Sequence, residues 1–112
     1  MDAFRIQGGT RLAGSVEIEG MKNAILPMMA ASILATEGTL VLENVPQLRD
    51  VTVMLRILET LGVKGGYDPQ KRTLSLDATG VIGDTAPYDL VRQMRASFLV
   101  SGALVARLGR CR

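Results

Sequence analysis

Residues 24–35 are apolar apart from Ser32, and no other stretch limits the folding of this chain so tightly. Twelve residues are too few to cross a bilayer, which takes about 20, so the run must be covered by protein. A helix apolar on every face is a helix buried on every face, and residues 23–35 are therefore predicted to form an internal helix with other elements around it. Proline is tolerated in a helix's first turn, so Pro27 sets the expected start near Asn23 or Ala24 and leaves Lys22 just outside. Val16 and Ile18 alternate with Glu17 and Glu19 as in a half-buried strand, and Gly20 supplies the turn from strand to helix.

Lys22 and Asn23 thus stand at a helix N-terminus, where unsatisfied N–H groups and the positive end of the helix dipole favour an anion. Lys22 adds a full charge and Asn23 an amide, so a phosphate or carboxylate suits the place. A lone Lys-Asn pair is more often a solvated lysine beside a capping asparagine.

Composition removes several classes of function. At 112 residues with 47% hydrophobic content, the chain has the size of one globular domain. A net charge of +2, no Trp, two Tyr and two Phe leave little for gripping or stacking nucleic acid. No basic segment followed by an apolar stretch opens the chain, so it reads as cytoplasmic, with neither signal peptide nor membrane span. One cysteine, Cys111, excludes an internal disulfide, and the absence of His excludes a histidine-based triad or zinc site within these residues.

In order along the chain, Phe4 and Ile6 alternate with Arg5 and Gln7 as a short first strand, and a second strand is expected over 15–19. After the apolar helix, Gly38 precedes a strand over 39–43, and residues 44–46 turn the chain. Asp50 is the expected N-cap of a second helix carrying Val51, Met54, Leu55, Leu58 and Leu61 at helical spacing, with Gly62 just past its end. A turn over 67–70 and alternation around Leu74 and Leu76 predict a hairpin. A loop over 78–87 leads to a third helix over 88–108, and Gly109-Arg110-Cys111 corresponds to Gly38-Thr39-Leu40, a faint internal repeat. Arg92 and Arg95 lie three apart and share a face of that helix; an anion grip is one reading, and a solvated face with Asp89 paired to Arg92 is the plainer one. Cys111 is flanked by Arg110 and Arg112 but has no base beside it, and reads as an adventitious thiol.

Three segments together carry a resemblance: Gly20-Met21-Lys22-Asn23-Ala24 with Leu26-Pro27; Asn44-Val45-Pro46 with Asp50-Val51; and Ala86-Pro87-Tyr88-Asp89-Leu90-Val91-Arg92-Gln93-Met94-Arg95-Ala96-Ser97. Across essentially all 112 residues the chain resembles the N-terminal part of the bacterial UDP-N-acetylglucosamine 1-carboxyvinyltransferase family of enolpyruvyl transferases. The related shikimate-pathway transferases usually carry Lys-Ser in place of Lys22-Asn23.

That resemblance implies an α/β fold of repeated strand-helix-strand-helix-strand-strand units, an inside-out α/β barrel with helices within and sheets outside. One complete unit and the start of a second are present. Residues 1–20 are implied to be strands of a second domain, and residues 21–112 a partial first domain. The implied reaction moves the enolpyruvyl group of phosphoenolpyruvate to the 3-hydroxyl of UDP-N-acetylglucosamine, with release of phosphate and no metal or organic cofactor, as the first committed step of peptidoglycan synthesis. Lys22 and Asn23 are implied to contact phosphoenolpyruvate and Arg95 the UDP-sugar.

The family's reactive cysteine lies in a Pro-Gly-Gly-Cys loop beyond its Val-Ala-Arg-x-Gly segment, here Val105 to Gly109, and Cys111 is not preceded by Pro-Gly-Gly. No catalytic residue is therefore assigned. The chain reads as a fragment, inactive alone and completed by the rest of the enzyme or by self-association. Two alternatives are a non-catalytic α/β anion-binding or assembly module and a fragment of the shikimate-pathway transferase.

Overall fold

The computed structural model describes residues 3–80 and 82–112. Its elements run α1 (Lys22–Ala31) with a 3-10 turn (Ser32–Leu34), β1 (Leu40–Leu42), α2 (Arg49–Leu61), β2 (Lys64–Asp68), β3 (Thr73–Asp77), α3 (Tyr88–Val91), a second 3-10 turn (Arg95–Phe98) and α4 (Leu99–Leu108).

The strands form one antiparallel sheet in the order β1-β3-β2. Leu40 and Leu42 stand opposite Leu76 and Leu74, and Gly65 and Tyr67 flank the same two leucines from the other side. The period of two along β3 thus puts one apolar row on one face, where Leu74 and Leu76 are fully buried. Helix α2 packs on β2 and on α1, and α1 in turn packs on α4. Met54, Ile57, Leu58 and Leu61 of α2, Met29 of α1 and Leu104 of α4 meet in one core.

The expected second helix is where the spacing put it. Its end is built as the sequence suggested: Gly62 takes the left-handed conformation (φ 105°), and the Val63 N–H closes the turn by donating to the Leu58 carbonyl at 3.0 Å. Its start differs. Leu48 in extended conformation precedes the helix without a side-chain cap, and Asp50 sits one residue inside, in the first turn. The expected turn of the hairpin also falls slightly later, over residues 69–72.

The apolar helix begins at Lys22, one residue earlier than expected, and tightens to a 3-10 turn after Ala31. Pro27 lies within it. The lost N–H releases the carbonyl of Asn23, four residues earlier, from the helical ladder, and the ring faces out of the core. Burial on every face is not observed: Ile25, Leu26, Met29, Ala30 and Ile33 are buried, whereas Ala24, Pro27, Met28, Ala31 and Leu34 form an open stripe. Helices α2 and α4 cover only part of the circumference.

Two further expectations fail for the same reason, the absence of a partner. Residues 3–20 contain the predicted strands around Phe4–Ile6 and Val16–Ile18, yet they pair with no sheet, and those four apolar side chains are 76–97% exposed. Alternation makes a strand only where an edge and a covering face exist. With this arm extended, the radius of gyration is 17.1 Å, against about 13 Å for a compact chain of this length. The arm meets the body at Gly20, where a Cβ would collide with the carbonyl oxygen of Asn44. Glycine is required there by close approach. Residues 1 and 2 of the predicted N-terminal segment, and position 81 of the expected loop, lie outside the described residues.

The expected single helix over 88–108 is three pieces. Met94 is extended (φ −153°, ψ 129°), and the buried Ser97 hydroxyl lies 2.5 Å from the Met94 carbonyl and 2.8 Å from that of Val91, donating its proton to them. A serine hydroxyl competes with the helical ladder for such carbonyls, and here the chain turns around it.

Candidate functional site

The N-terminus of α1, the first turn of α2 and the stretch between α3 and α4 converge on a cavity of about 350 Å³. Lys22 and Asn23 of α1, Arg95 and Gln93 of the α3–α4 stretch and Asp50 of α2 supply its polar wall, with Leu26, Met94 and Ala96 as apolar neighbours. The three residues singled out in the sequence, Lys22, Asn23 and Arg95, are thus brought together, although 72 positions separate Asn23 from Arg95.

Each element places its side chain for a local reason. Met21 caps α1 with extended backbone and no side-chain hydrogen bond; its carbonyl accepts from the Ala24 and Ile25 N–H groups, and the N–H groups of Lys22 and Asn23, which precede the helical ladder, are left without a helical partner. The helix dipole adds positive potential at that end. Asn23 is inside the helix and lines the cavity, which corrects the capping alternative. Arg95 reaches the cavity because the helix breaks at Met94. For the same reason Arg92 and Arg95 do not share a helical face. Arg92 approaches Asp89 at 3.5 Å and lies over the Tyr88 ring at 5.9 Å, which is the plainer of its two expected roles.

Asp50 is the residue that local reading assigned wrongly. Its carboxylate stands 3.0 Å from the Lys22 ammonium, with both side chains partly open to solvent. It holds the cation at the cavity wall. The signal in the sequence was only an aspartate at a helix start, which capping explains equally well. Gln93 was missed altogether; its side-chain amide donates to the Asp89 carbonyl at 2.8 Å, fixing it beside the cavity.

Two cations and an amide thus stand with one carboxylate around the N-terminus of α1. Among the described residues no group of three His, Cys, Asp or Glu is arranged to hold a metal. Cys111 is half-buried in a separate, largely apolar cavity with Tyr88, Phe98 and Val100, away from this wall.

The order helix-strand-helix-strand-strand, with this polar cavity at the start of its first helix, defines an α/β protein. Residues 6–112 match the family model described as EPSP synthase (3-phosphoshikimate 1-carboxyvinyltransferase), and the chain belongs to that family. It is 50% identical over 97% of its length to UDP-N-acetylglucosamine 1-carboxyvinyltransferase 1 of Staphylococcus epidermidis. It is 52% identical over its whole length to the UDP-N-acetylglucosamine 1-carboxyvinyltransferase of Desulfosudis oleivorans. The chain spans about a quarter of each of these relatives, 26% in both cases. Among solved structures, the enolpyruvyl transferase NikO of Streptomyces tendae superposes with a TM-score of 0.79 at 31% identity, over 91% of this chain and 23% of that one. The enolpyruvyl-transferase fold expected from the motifs is therefore the fold observed.

Proposed function

We propose that this chain forms one wall of the active site of a UDP-N-acetylglucosamine enolpyruvyl transferase, binding phosphoenolpyruvate through Lys22 and Asn23 and the UDP-sugar through Arg95. The observation that carries this reading is the convergence of those three side chains on one cavity at the open N-terminus of α1. Relatives at about half identity carry that enzyme's name, and Lys22-Asn23 is the pair expected of the cell-wall branch rather than the shikimate branch.

The chemistry suits the site. The 3-hydroxyl of the sugar adds across the double bond of phosphoenolpyruvate, its oxygen to the central carbon and a proton to the methylene carbon, and loss of phosphate from the tetrahedral adduct together with a proton from the resulting methyl group restores the double bond. Both substrates carry phosphate, and phosphoenolpyruvate a carboxylate as well. Fixed cations and N–H dipoles that face these groups stabilise charge without reorganising during the reaction. A bound phosphate would displace Asp50 from Lys22 and gain the N–H groups of Lys22 and Asn23 at the start of α1.

Turnover needs more than this wall. The Pro-Gly-Gly-Cys loop does not occur in the 112 residues, so these residues alone bind without catalysing. In the same reading, residues 1–20 join a second domain, which accounts for the exposed side chains of Phe4, Ile6, Val16 and Ile18, and residues 21–112 belong to the first. The open stripe of α1 is then covered by further units or by self-association. Among the described residues no helix is long and apolar enough to cross a membrane; a cytoplasmic location follows from the reading of the enzyme.

Titration of the chain with phosphoenolpyruvate, followed by amide chemical shifts, tests the site. Lys22→Ala is expected to weaken binding at least about tenfold, since a charge-assisted hydrogen bond contributes about 1.5–3 kcal/mol. Lys22→Arg should recover part of the loss, because a planar fork replaces a compact charge. Unchanged affinity in Lys22→Ala would overturn the assignment.

A further inference from the structure

Arg107, in the Val-Ala-Arg-Leu-Gly segment that the site leaves unused, ties three segments together at the opposite end of α1 from the cavity. Its Nη1 donates to the carbonyls of Ile33 and Ala78 at 2.7 Å each and approaches that of Ala35 at 3.3 Å. The first and last of these carbonyls belong to the 3-10 turn that ends α1 and to the chain just after it, the middle one to the residue following β3. Carbonyls at a helix end have no helical partner, and a cation there also complements the dipole.

Helices α1 and α4 run in the same direction. Their C-terminal ends meet at Arg107, while the start of α1 and the turn leading into α4 meet at the cavity, where Lys22 and Asn23 face Arg95. The two ends are separated by roughly 16 Å of helix at 1.5 Å per residue. A helix is stiff along its axis, so a slip of α1 against α4 at one end moves Lys22 against Arg95 at the other by the same amount. Among the described residues no comparable side-chain hydrogen bond or ion pair ties α1 to the α4 side at the cavity end: the Lys22–Asp50 pair joins α1 to α2.

We propose that Arg107 is a positioning residue that sets the axial register of α1 against α4, and through it the separation of Lys22 and Asn23 from Arg95. Its functional half rests on the anion-site reading above; its structural half does not. Arg107→Met keeps the aliphatic stem and removes the donors, and Arg107→Lys keeps the charge without the fork.

The register is read without any ligand from the dipolar distance distribution between spin labels on Ala24→Cys and Gly102→Cys in a Cys111→Ser background; both label sites are exposed. Arg107→Met is expected to shift and broaden that distribution, with Arg107→Lys intermediate, while the slowly exchanging amides of α2 stay protected. Phosphoenolpyruvate binding is expected to weaken about fivefold in Arg107→Met, with partial rescue in Arg107→Lys. A distribution unchanged in both variants overturns the proposal, as does a loss of α2 protection equal to that at α1, which would make Arg107 a general stabiliser. If the distribution shifts but the wild-type chain binds no phosphoenolpyruvate, the register role stands and the anion-site reading fails. If affinity is unchanged while the register shifts, the coupling to the site is refuted.

Discussion

Asp50→Asn should tighten binding at the cavity while slightly weakening the fold. Lys22 and Asp50 stand 3.0 Å apart, with side chains 50% and 32% exposed. Two unit charges at that distance attract by roughly 1.4 kcal/mol in bulk water, and side-chain entropy and salt reduce the net value of such open pairs to about 0.2–1 kcal/mol. An anion arriving at Lys22 must displace this partner and approach the carboxylate as well. Removing the charge is thus expected to improve phosphoenolpyruvate affinity by up to about fivefold, the equivalent of about 1 kcal/mol. The gain should shrink as salt is raised to about 1 M, where the screening length falls to about 3 Å. Because Asp50 also complements the dipole of α2 from its first turn, urea unfolding should show a loss of about 0.3–1 kcal/mol. Calorimetric titration at two salt concentrations measures the first effect. Weaker binding in Asp50→Asn would refute the competition argument and mean that the carboxylate aims Lys22 at its ligand.

Other consequences follow from burial and charge. Leu104 of α4 is fully buried whereas Leu99 is 42% exposed, so Leu104→Ala should cost about 2–5 kcal/mol in urea unfolding and Leu99→Ala much less; equal losses would remove α4 from the core. The Asp77 carboxyl is held below its usual range by the Thr79 hydroxyl and amide, and that of Asp84 by the Thr85 hydroxyl and the Arg110 guanidinium. A depressed native value stabilises above the unfolded value of about 3.9 and is lost as pH falls through the native one. The chain should therefore lose stability below about pH 4, and Asp84→Asn should flatten that slope. The open stripe on α1, with Met28 49% and Leu34 50% exposed, should drive association of the isolated chain. Sedimentation should show concentration-dependent oligomers that Met28→Glu with Leu34→Glu disperses, and a wild-type monomer at all concentrations would contradict this.

What the sequence determined by itself was whatever a periodic pattern or a special residue encodes within about a dozen positions. The spacing of Val51, Met54, Leu58 and Leu61, closed by Gly62, made α2 legible, and the alternation at Leu74 and Leu76 made the hairpin legible. Lys22-Asn23 could be placed at a helix start, since a glycine turn and an apolar run bracket it. Only the tertiary structure decided which of these residues face one another. Asp50 reads locally as a cap and stands instead against Lys22, because the starts of α1 and α2 are neighbours in space. Arg95 joins the cavity only through the break at Met94, which a uniformly helical pattern conceals and a buried hydroxyl on Ser97 accounts for. Residues 4–7 and 15–19 carry a strand's alternation without forming one, since a strand is completed by hydrogen bonds to another segment, and among the described residues no sheet edge receives them.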